Sequence, residues 1–367
     1  MEMHENDKPS KEPQRQLNVL GLGLGQRQEE GLGQGDRLGQ LEEHSPIIGV
    51  MCMDLAQSLN AHYDPGHWQS YLPASYIRHL EASGALVIPI WIGRDRAYYA
   101  QIMKLVNGVL LPGGAVYLDD EDKHVKKDSK LTNLCVQSIQ YIYELALERN
   151  LAGSYFPLWG TCLGFQLLLK SAARAAGAPI MRDKCGDIFD AKPLQLEPGY
   201  ATSRIFGQLS PEQAKQMESV PFACHQHKFC ITEESLASSK MDTDWHVLAT
   251  RTSEAGMRFI TLIEHRVHPF FGCQFHPERA AFEQLFARND ACRDAHTRAG
   301  IQLAQYFAEV FVDACRRNPN RFASVEQLSR HLIQNWQPVF SGQYKNSNWR
   351  EVYLFPKDVD YVQPVDN

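Results

Sequence analysis

The chain has 367 residues, 44% of them hydrophobic, enough for one large domain or two modest ones with a sizeable core. A net charge of −6, with no concentrated Lys/Arg stripe, argues against a nucleic-acid partner. No apolar run approaches the about 20 residues that cross a bilayer, so no membrane span is expected.

Residues 1–44 form a composition island in which Gly, Leu and Gln recur with neither helical nor strand periodicity, which predicts a disordered tail. Its Gly-x-Gly runs are not a dinucleotide loop, because no strand precedes them and no G-x-G-x-x-G register fits. Glu2, Glu5, Asp7 and Glu12 sit among the first lysines and the best apolar stretch, 17–25, is short, so no signal peptide is readable. From Ser45 the pattern changes. Residues 47–51 read as a buried strand, 73–83 as a helix with Ile77 and Leu80 on one face, and 85–91 as a second strand. A helix over 98–105 leads to a third strand, 108–111, closed by Pro112-Gly113-Gly114. A long helix over 131–148 and a strand over 155–159 follow, then strands at 258–264 and 270–275 and helices at 299–316 and 325–335. Continuous apolar strands alternating with helices predict a single α/β domain over 45–358. Its sheet would be doubly wound, mostly parallel and flanked by helices, and 359–367 would form a C-terminal tail. Active sites of such sheets lie at the carboxyl ends of the strands.

Gly160-Thr161-Cys162-Leu163-Gly164 occupies one such end, between an apolar strand and a helix-forming run. G-x-C-x-G is the thiol version of the nucleophile elbow, a strained turn that pushes one side chain out of the sheet. A helix N-terminus favours a thiolate there. The Leu163 amide points into the same space and can stabilise an oxyanion, and Pro112-Gly113-Gly114 ends a strand on the same side of the sheet. Gln274-Phe275-His276-Pro277-Glu278 ends another apolar strand, and His-x-Glu spacing lets the carboxylate orient the imidazole. Cys162, His276 and Glu278 together predict acyl transfer: thiolate attack, protonation of the leaving amine and activation of water by the same histidine.

The remaining cysteines follow no disulfide framework. Nine in all is an odd number and no Asn-x-Ser/Thr sequon occurs, which leans toward a reducing compartment. Cys224, His225, His227 and Cys230 lie close enough in sequence to raise a zinc site. On an extended segment, though, 225 and 227 face one side and 224 and 230 the other, so no tetrahedral site is expected.

Pro-Gly-Gly after a strand, G-T-C-L-G-F and Q-F-H-P-E resemble the class I glutamine amidotransferase superfamily. Within it, most of 46–356 is similar to the γ-glutamyl hydrolase family, through Tyr71-Leu72-Pro73-Ala74-Ser75-Tyr76, Ser203-Arg204-Ile205-Phe206, His227-Lys228-Phe229 and Pro338-Val339-Phe340-Ser341-Gly342. The resemblance implies cleavage of γ-linked glutamate from folylpoly-γ-glutamates, with Cys162 as nucleophile, His276 as general acid/base, Glu278 orienting it, an oxyanion hole of the Leu163 amide and one from Gly113 or Gly114, and His227 near the substrate. It calls for no cofactor or metal, leaves a homodimer open, and points to lysosome, vacuole or the extracellular space, with a cytoplasmic form as the alternative. A γ-glutamyl substrate carries an α-carboxylate, for which Arg204 and Lys228 are the candidate cations. Two rival readings stay open: a glutaminase that feeds ammonia to a synthetase partner, and a non-catalytic binding protein on the same fold.

Overall fold

Apolar runs that alternate with helices become the interior strands of one sheet. A computed structural model of the chain describes residues 45–116, 118, 133–285, 290 and 292–364. The expected tail 1–44 and the start of the helix expected at 131 lie outside the described residues. In chain order the strands are β1 (Ile47–Met51), β2 (Met53–Asp54), β3 (Trp68–Pro73), β4 (Leu86–Ile90), β5 (Gly108–Leu111) and β6 (Leu158–Thr161). There follow β7 (Asp183–Lys192), β8 (Gln195–Leu196), β9 (Ala223–Cys230), β10 (Trp245–Thr252), β11 (Arg258–His265), β12 (Phe270–Cys273) and β13 (Val352–Pro356).

Among the described residues the main sheet has eight strands in the order β4-β1-β5-β6-β12-β11-β10-β8. The first five are mutually parallel and the last three antiparallel. Every residue of β1, β5, β6 and β12 is buried, the pattern of strands covered on both faces. Helix α1 (Ala74–Glu81) packs with α5 (Arg298–Arg316), while α2 (Arg96–Ile102), α3 (Leu134–Leu151) and α4 (Leu163–Ala175) pack in succession. Trp159 of β6 lies with its ring centroid 5.8 Å from Phe271 of β12 and 5.9 Å from Phe311 of α5. That aromatic layer anchors the two strands from which the nucleophile and the histidine emerge. The doubly wound, mostly parallel architecture is the one the alternation predicts.

Three features depart from the sequence reading. Strand β6 runs to Thr161 instead of stopping at 159, because Gly160 pairs with both Leu111 and Gly272, and Thr161 with Cys273. A small sheet β13-β3-β2 and a two-stranded ribbon β7-β9 stand outside the main sheet. Of the segment read as a tail from 359, the described residues begin with ordered packing. Tyr361 is buried, stacks on His331 and donates to the Pro89 carbonyl at 2.7 Å, so ordered packing continues past 358.

Candidate active site

The elbow follows from three local facts. Cys162 follows β6 directly and caps α4 with φ +52° and ψ −108°, a backbone conformation that side-chain-bearing residues rarely adopt. Gly164 is required beside it, since a Cβ there would lie 2.0 Å from the Leu111 carbonyl oxygen. Gly160 is equally enclosed, with a Cβ position 2.7 Å from the Phe165 Cα. The turn is held by the Cys162 amide, which donates to the Cys273 carbonyl at 2.8 Å. The thiol itself is buried and lies 3.9 Å from the Gln226 carbonyl oxygen and 3.6 Å from Gln274 Nε2.

His276 leaves the end of β12, and its amide donates to the Cys224 carbonyl at 2.7 Å, which ties it to β9. Its Nδ1 lies 2.8 Å from Glu278 Oε1, and Cys162 lies beside the ring and acts on its charge. With Nδ1 held by the carboxylate, the other nitrogen is left for the thiol, the division that a general acid/base requires. Burial lowers the affinity of His276 for a proton. Glu278 and Cys162 outweigh that and push its pKa from 6.5 up to about 10. Glu278 shows the opposite balance: burial alone would raise it, and His276 holds it below the usual carboxylate range. All three side chains expected to do the chemistry therefore converge.

The oxyanion donors divide. Leu163 opens α4, where the first N–H groups of a helix lack intrahelical partners, and it lines the cleft with Gly114. Gly113 is buried behind them, and its N–H donates to the Tyr76 hydroxyl at 2.8 Å. Of the two glycines expected to offer a second donor, Gly113 therefore has its N–H engaged, while Gly114 lines the cleft. Tyr76 is not legible as a site residue in the sequence, yet its hydroxyl also lies 3.1 Å from His276 Nδ1 and hydrogen-bonds Glu278.

Cys162, Leu163 and His276 border a cleft of about 250 Å³ whose other walls come from the ribbon and from the C-terminal segment at Asn348 and Trp349. His227 and Lys228 both line it. His227 Nε2 lies 3.0 Å from His225 Nδ1, and its Nδ1 lies 3.5 Å from the Cys185 thiol. Lys228 is exposed and pairs with Asp187 at 3.2 Å. Arg204 is not in the cleft, which corrects the reading of it as a carboxylate ligand. It sits beside Phe271, toward the opposite end of the strands, donating to the Val267 carbonyl at 3.1 Å and to that of His265. A cation the sequence reading missed takes part instead. Arg182 lines the cleft, stacks 4.3 Å over the Phe229 ring and donates to Gln166 Oε1 at 3.3 Å. Its signal is hidden because Arg182 enters from a segment with no periodicity, and only the ribbon's pairing brings it to Phe229.

The suspected zinc ligands are not split cleanly by strand parity, since the Cys185 thiol neighbours both His227 and Cys230. His225 and His227 meet on one side of β9, while Cys224 contacts Cys292 and Cys230 contacts Cys185. Among the described residues no group of three or more His, Cys, Asp or Glu could hold a metal ion. Nor is any helix among them long and apolar enough to cross a membrane.

Comparison with known proteins gives a consistent result. The Peptidase C26 family pattern matches residues 46–278. Gamma-glutamyl hydrolase 1 of Arabidopsis thaliana is 30% identical over 314 residues, covering 85% of this chain and 83% of that protein. Gamma-glutamyl hydrolase of Homo sapiens is 29% identical over 311 residues, 84% of this chain and 89% of that protein. Gamma-glutamyl hydrolase B of Dictyostelium discoideum is 28% identical over 313 residues, 85% and 83% of the two chains. A solved GMP synthase structure from Thermoplasma acidophilum overlays with a TM-score of 0.40 and 16% identity over 74% of this chain and 96% of that one, too loose a match to carry an argument. The family match covers well over half the chain, including the elbow and the His-x-Glu strand end, and the chain belongs to the Peptidase C26 family with the γ-glutamyl hydrolases.

Proposed function

We propose that the chain hydrolyses γ-glutamyl bonds of folylpoly-γ-glutamates and related conjugates through a thioacyl enzyme on Cys162. The observation that carries this reading is the convergence of Cys162 and His276 on one cleft, with Glu278 bonded to His276 Nδ1 behind it. The thiolate attacks the γ-carbonyl carbon, and the oxyanion that forms faces the Leu163 and Gly114 amides. Protonated His276 donates to the leaving amine as the C–N bond breaks, which leaves a thioester. The now neutral imidazole takes a proton from water, hydroxide adds to the thioester, and the thiolate departs. Glu278 keeps its charge throughout and stabilises the imidazolium on either side of the cycle. His227 and Lys228 border the bound glutamyl unit, and Lys228 exchanges its ion pair with Asp187 for a substrate carboxylate.

Incubation with a pteroyl pentaglutamate, with products followed by mass, tests the reading. Release of glutamate or γ-glutamyl peptide by the wild type and none by Cys162→Ala is expected. No release by the wild type defeats the function, and full activity in Cys162→Ala defeats the mechanism. Glutaminase activity on free glutamine with no action on the conjugate favours the amidotransferase alternative. The compartment suggested by the resemblance, lysosome, vacuole or extracellular space, is tested by sequencing the N-terminus of the native protein.

A further inference from the structure

Two thiols that the proposed reaction does not use meet in the β7-β9 ribbon. Pairing between its strands breaks after Lys184 with Phe229 and resumes at Ile188 with His227, so Cys185, Gly186 and Asp187 stand opposite Lys228 alone. Gly186 holds φ +89° in that bulge, a left-handed conformation that suits glycine. The bulge lets Cys185 meet two neighbours at once. Its sulfur lies 3.5 Å from His227 Nδ1 and 3.4 Å from the Lys228 carbonyl oxygen. The Cys230 sulfur stands beside it, 3.6 Å from the Asp183 carbonyl oxygen, and both cysteines share a small apolar cluster with Ile188 and Phe259.

The two thiols are unequal. Cys230 and His227 hold the Cys185 thiol well below its ordinary value against the effect of burial, whereas Cys185 and burial push the Cys230 thiol up. Cys185 is 5% exposed and Cys230 0%, so a small oxidant meets Cys185 first. We propose that Cys185 and Cys230 form a peroxide-reactive pair, with Cys185 the attacking thiolate and Cys230 the resolving thiol. The Cys185 sulfur attacks one oxygen of hydrogen peroxide. An S–O bond forms as the O–O bond breaks, and the departing hydroxide takes a proton from solvent and leaves as water. Cys230 then attacks the sulfenic sulfur: the S–S bond forms, the S–O bond breaks, and the hydroxyl leaves with the Cys230 proton as a second water. Both sulfurs are oxidised and both peroxide oxygens reduced, so no further reactant is needed. The bridge removes the thiolate that His227 Nδ1 faces, and His227 lines the cleft, so the oxidation state of the pair is felt at the cleft wall.

The test treats the wild type and Cys162→Ala with equimolar hydrogen peroxide, the second to take the nucleophile out of competition. In Cys162→Ala the loss of two free thiols, counted after unfolding, is expected, and dithiothreitol restores both. Mass mapping of tryptic fragments in both proteins is expected to find the fragment bearing Cys185 linked to the one bearing Cys230. In Cys162→Ala that also carries Cys230→Ala no bridge forms, and dimedone labels Cys185 as the trapped sulfenic acid. Cys224 and Cys292 are a second neighbouring pair but are buried to 0% and 1%, and they stay reduced. An unchanged thiol count, a bridge that joins Cys224 to Cys292 instead, or dimedone on Cys230 ahead of Cys185 overturns the proposal. Each of these outcomes leaves the hydrolase reading where it stands.

Discussion

Glu278→Gln isolates the charge that sets the protonation of His276. The substitution keeps the shape and the hydrogen-bond acceptor 2.8 Å from Nδ1 and removes the carboxylate's negative charge. Moving a histidine from 6.5 to about 10 corresponds to about 5 kcal/mol of preference for the imidazolium, at 1.36 kcal/mol per tenfold. Without Glu278, burial acts against the proton with only Cys162 to oppose it, so at neutral pH the ring becomes largely neutral. The leaving amine then has no acid to protonate it, and general acid catalysis contributes about 10²–10⁴ in rate, so kcat falls by at least about 100-fold. The sign for stability follows from the same shift. His276 has a raised folded pKa, so its contribution is full below about 6.5 and is lost as pH climbs toward about 10. Glu278 has a depressed one, so its contribution is present above the ordinary carboxylate range and is lost on acidification. Proton NMR of the His276 ring and kcat against pH provide the assay. In the wild type the ring shows no titration between pH 6 and 8, and in Glu278→Gln it is neutral or titrating there. A Glu278→Gln enzyme with wild-type kcat and an imidazolium still intact at pH 8 refutes the reasoning.

Four further outcomes are expected. Cys162→Gly and Cys162→Ala are both inactive, but the glycine variant is the more stable of the two by about 1–2 kcal/mol in urea unfolding, because only it escapes the cost of φ +52°. Gly164→Ala is destabilised by about 3 kcal/mol or fails to fold, since its Cβ has backbone in its way, and soluble protein with an unchanged Tm counts against the elbow geometry. Arg204→Ala keeps kcat/KM within about twofold, whereas Lys228→Ala raises KM about tenfold, the size of one lost charge-assisted hydrogen bond, and steady-state kinetics on a γ-glutamyl conjugate separates them. Tyr76→Phe leaves the buried Gly113 N–H without its acceptor and removes the hydroxyl beside His276 Nδ1 and Glu278, so it lowers Tm and reduces kcat about tenfold, and wild-type values for both deny Tyr76 a positioning role.

The parts of the fold that periodicity exposes are those buried on both sides. β1, β5 and β12 announce themselves as short apolar runs because parallel strands need no polar face. β6 outruns its apolar stretch because Gly160 and Thr161 carry turn chemistry in a sequence and ladder pairing in the structure, where close packing under Phe165 admits only glycine. The C-terminal segment escapes the sequence for a different reason. Nothing local marks Tyr361 as core, since its burial comes from Trp91 and His331, residues far away in sequence. Arg204 fails as a ligand for the same reason: a charge near a shared motif carries no information about which end of the strands it occupies.

The site divides along that same line. Its chemistry sits on strand ends of the main sheet, where a glycine-flanked cysteine and a His-x-Glu step are each dictated by local backbone geometry and so are visible residue by residue. Its walls come from the β7-β9 ribbon and the segment around Asn348 and Trp349, which meet the nucleophile only through long-range pairing. Gln226 shows the join: its carbonyl touches the thiol, its side chain donates to Asn348 at 2.8 Å, and Phe189 stands across from it. Substitutions on the ribbon's outward face can therefore change what is bound without touching the elbow, whose glycines tolerate no Cβ. Changes of substrate preference should concentrate at cleft-lining ribbon positions such as Lys228, while Gly160, Cys162, Gly164, His276 and Glu278 stay fixed by sterics and charge.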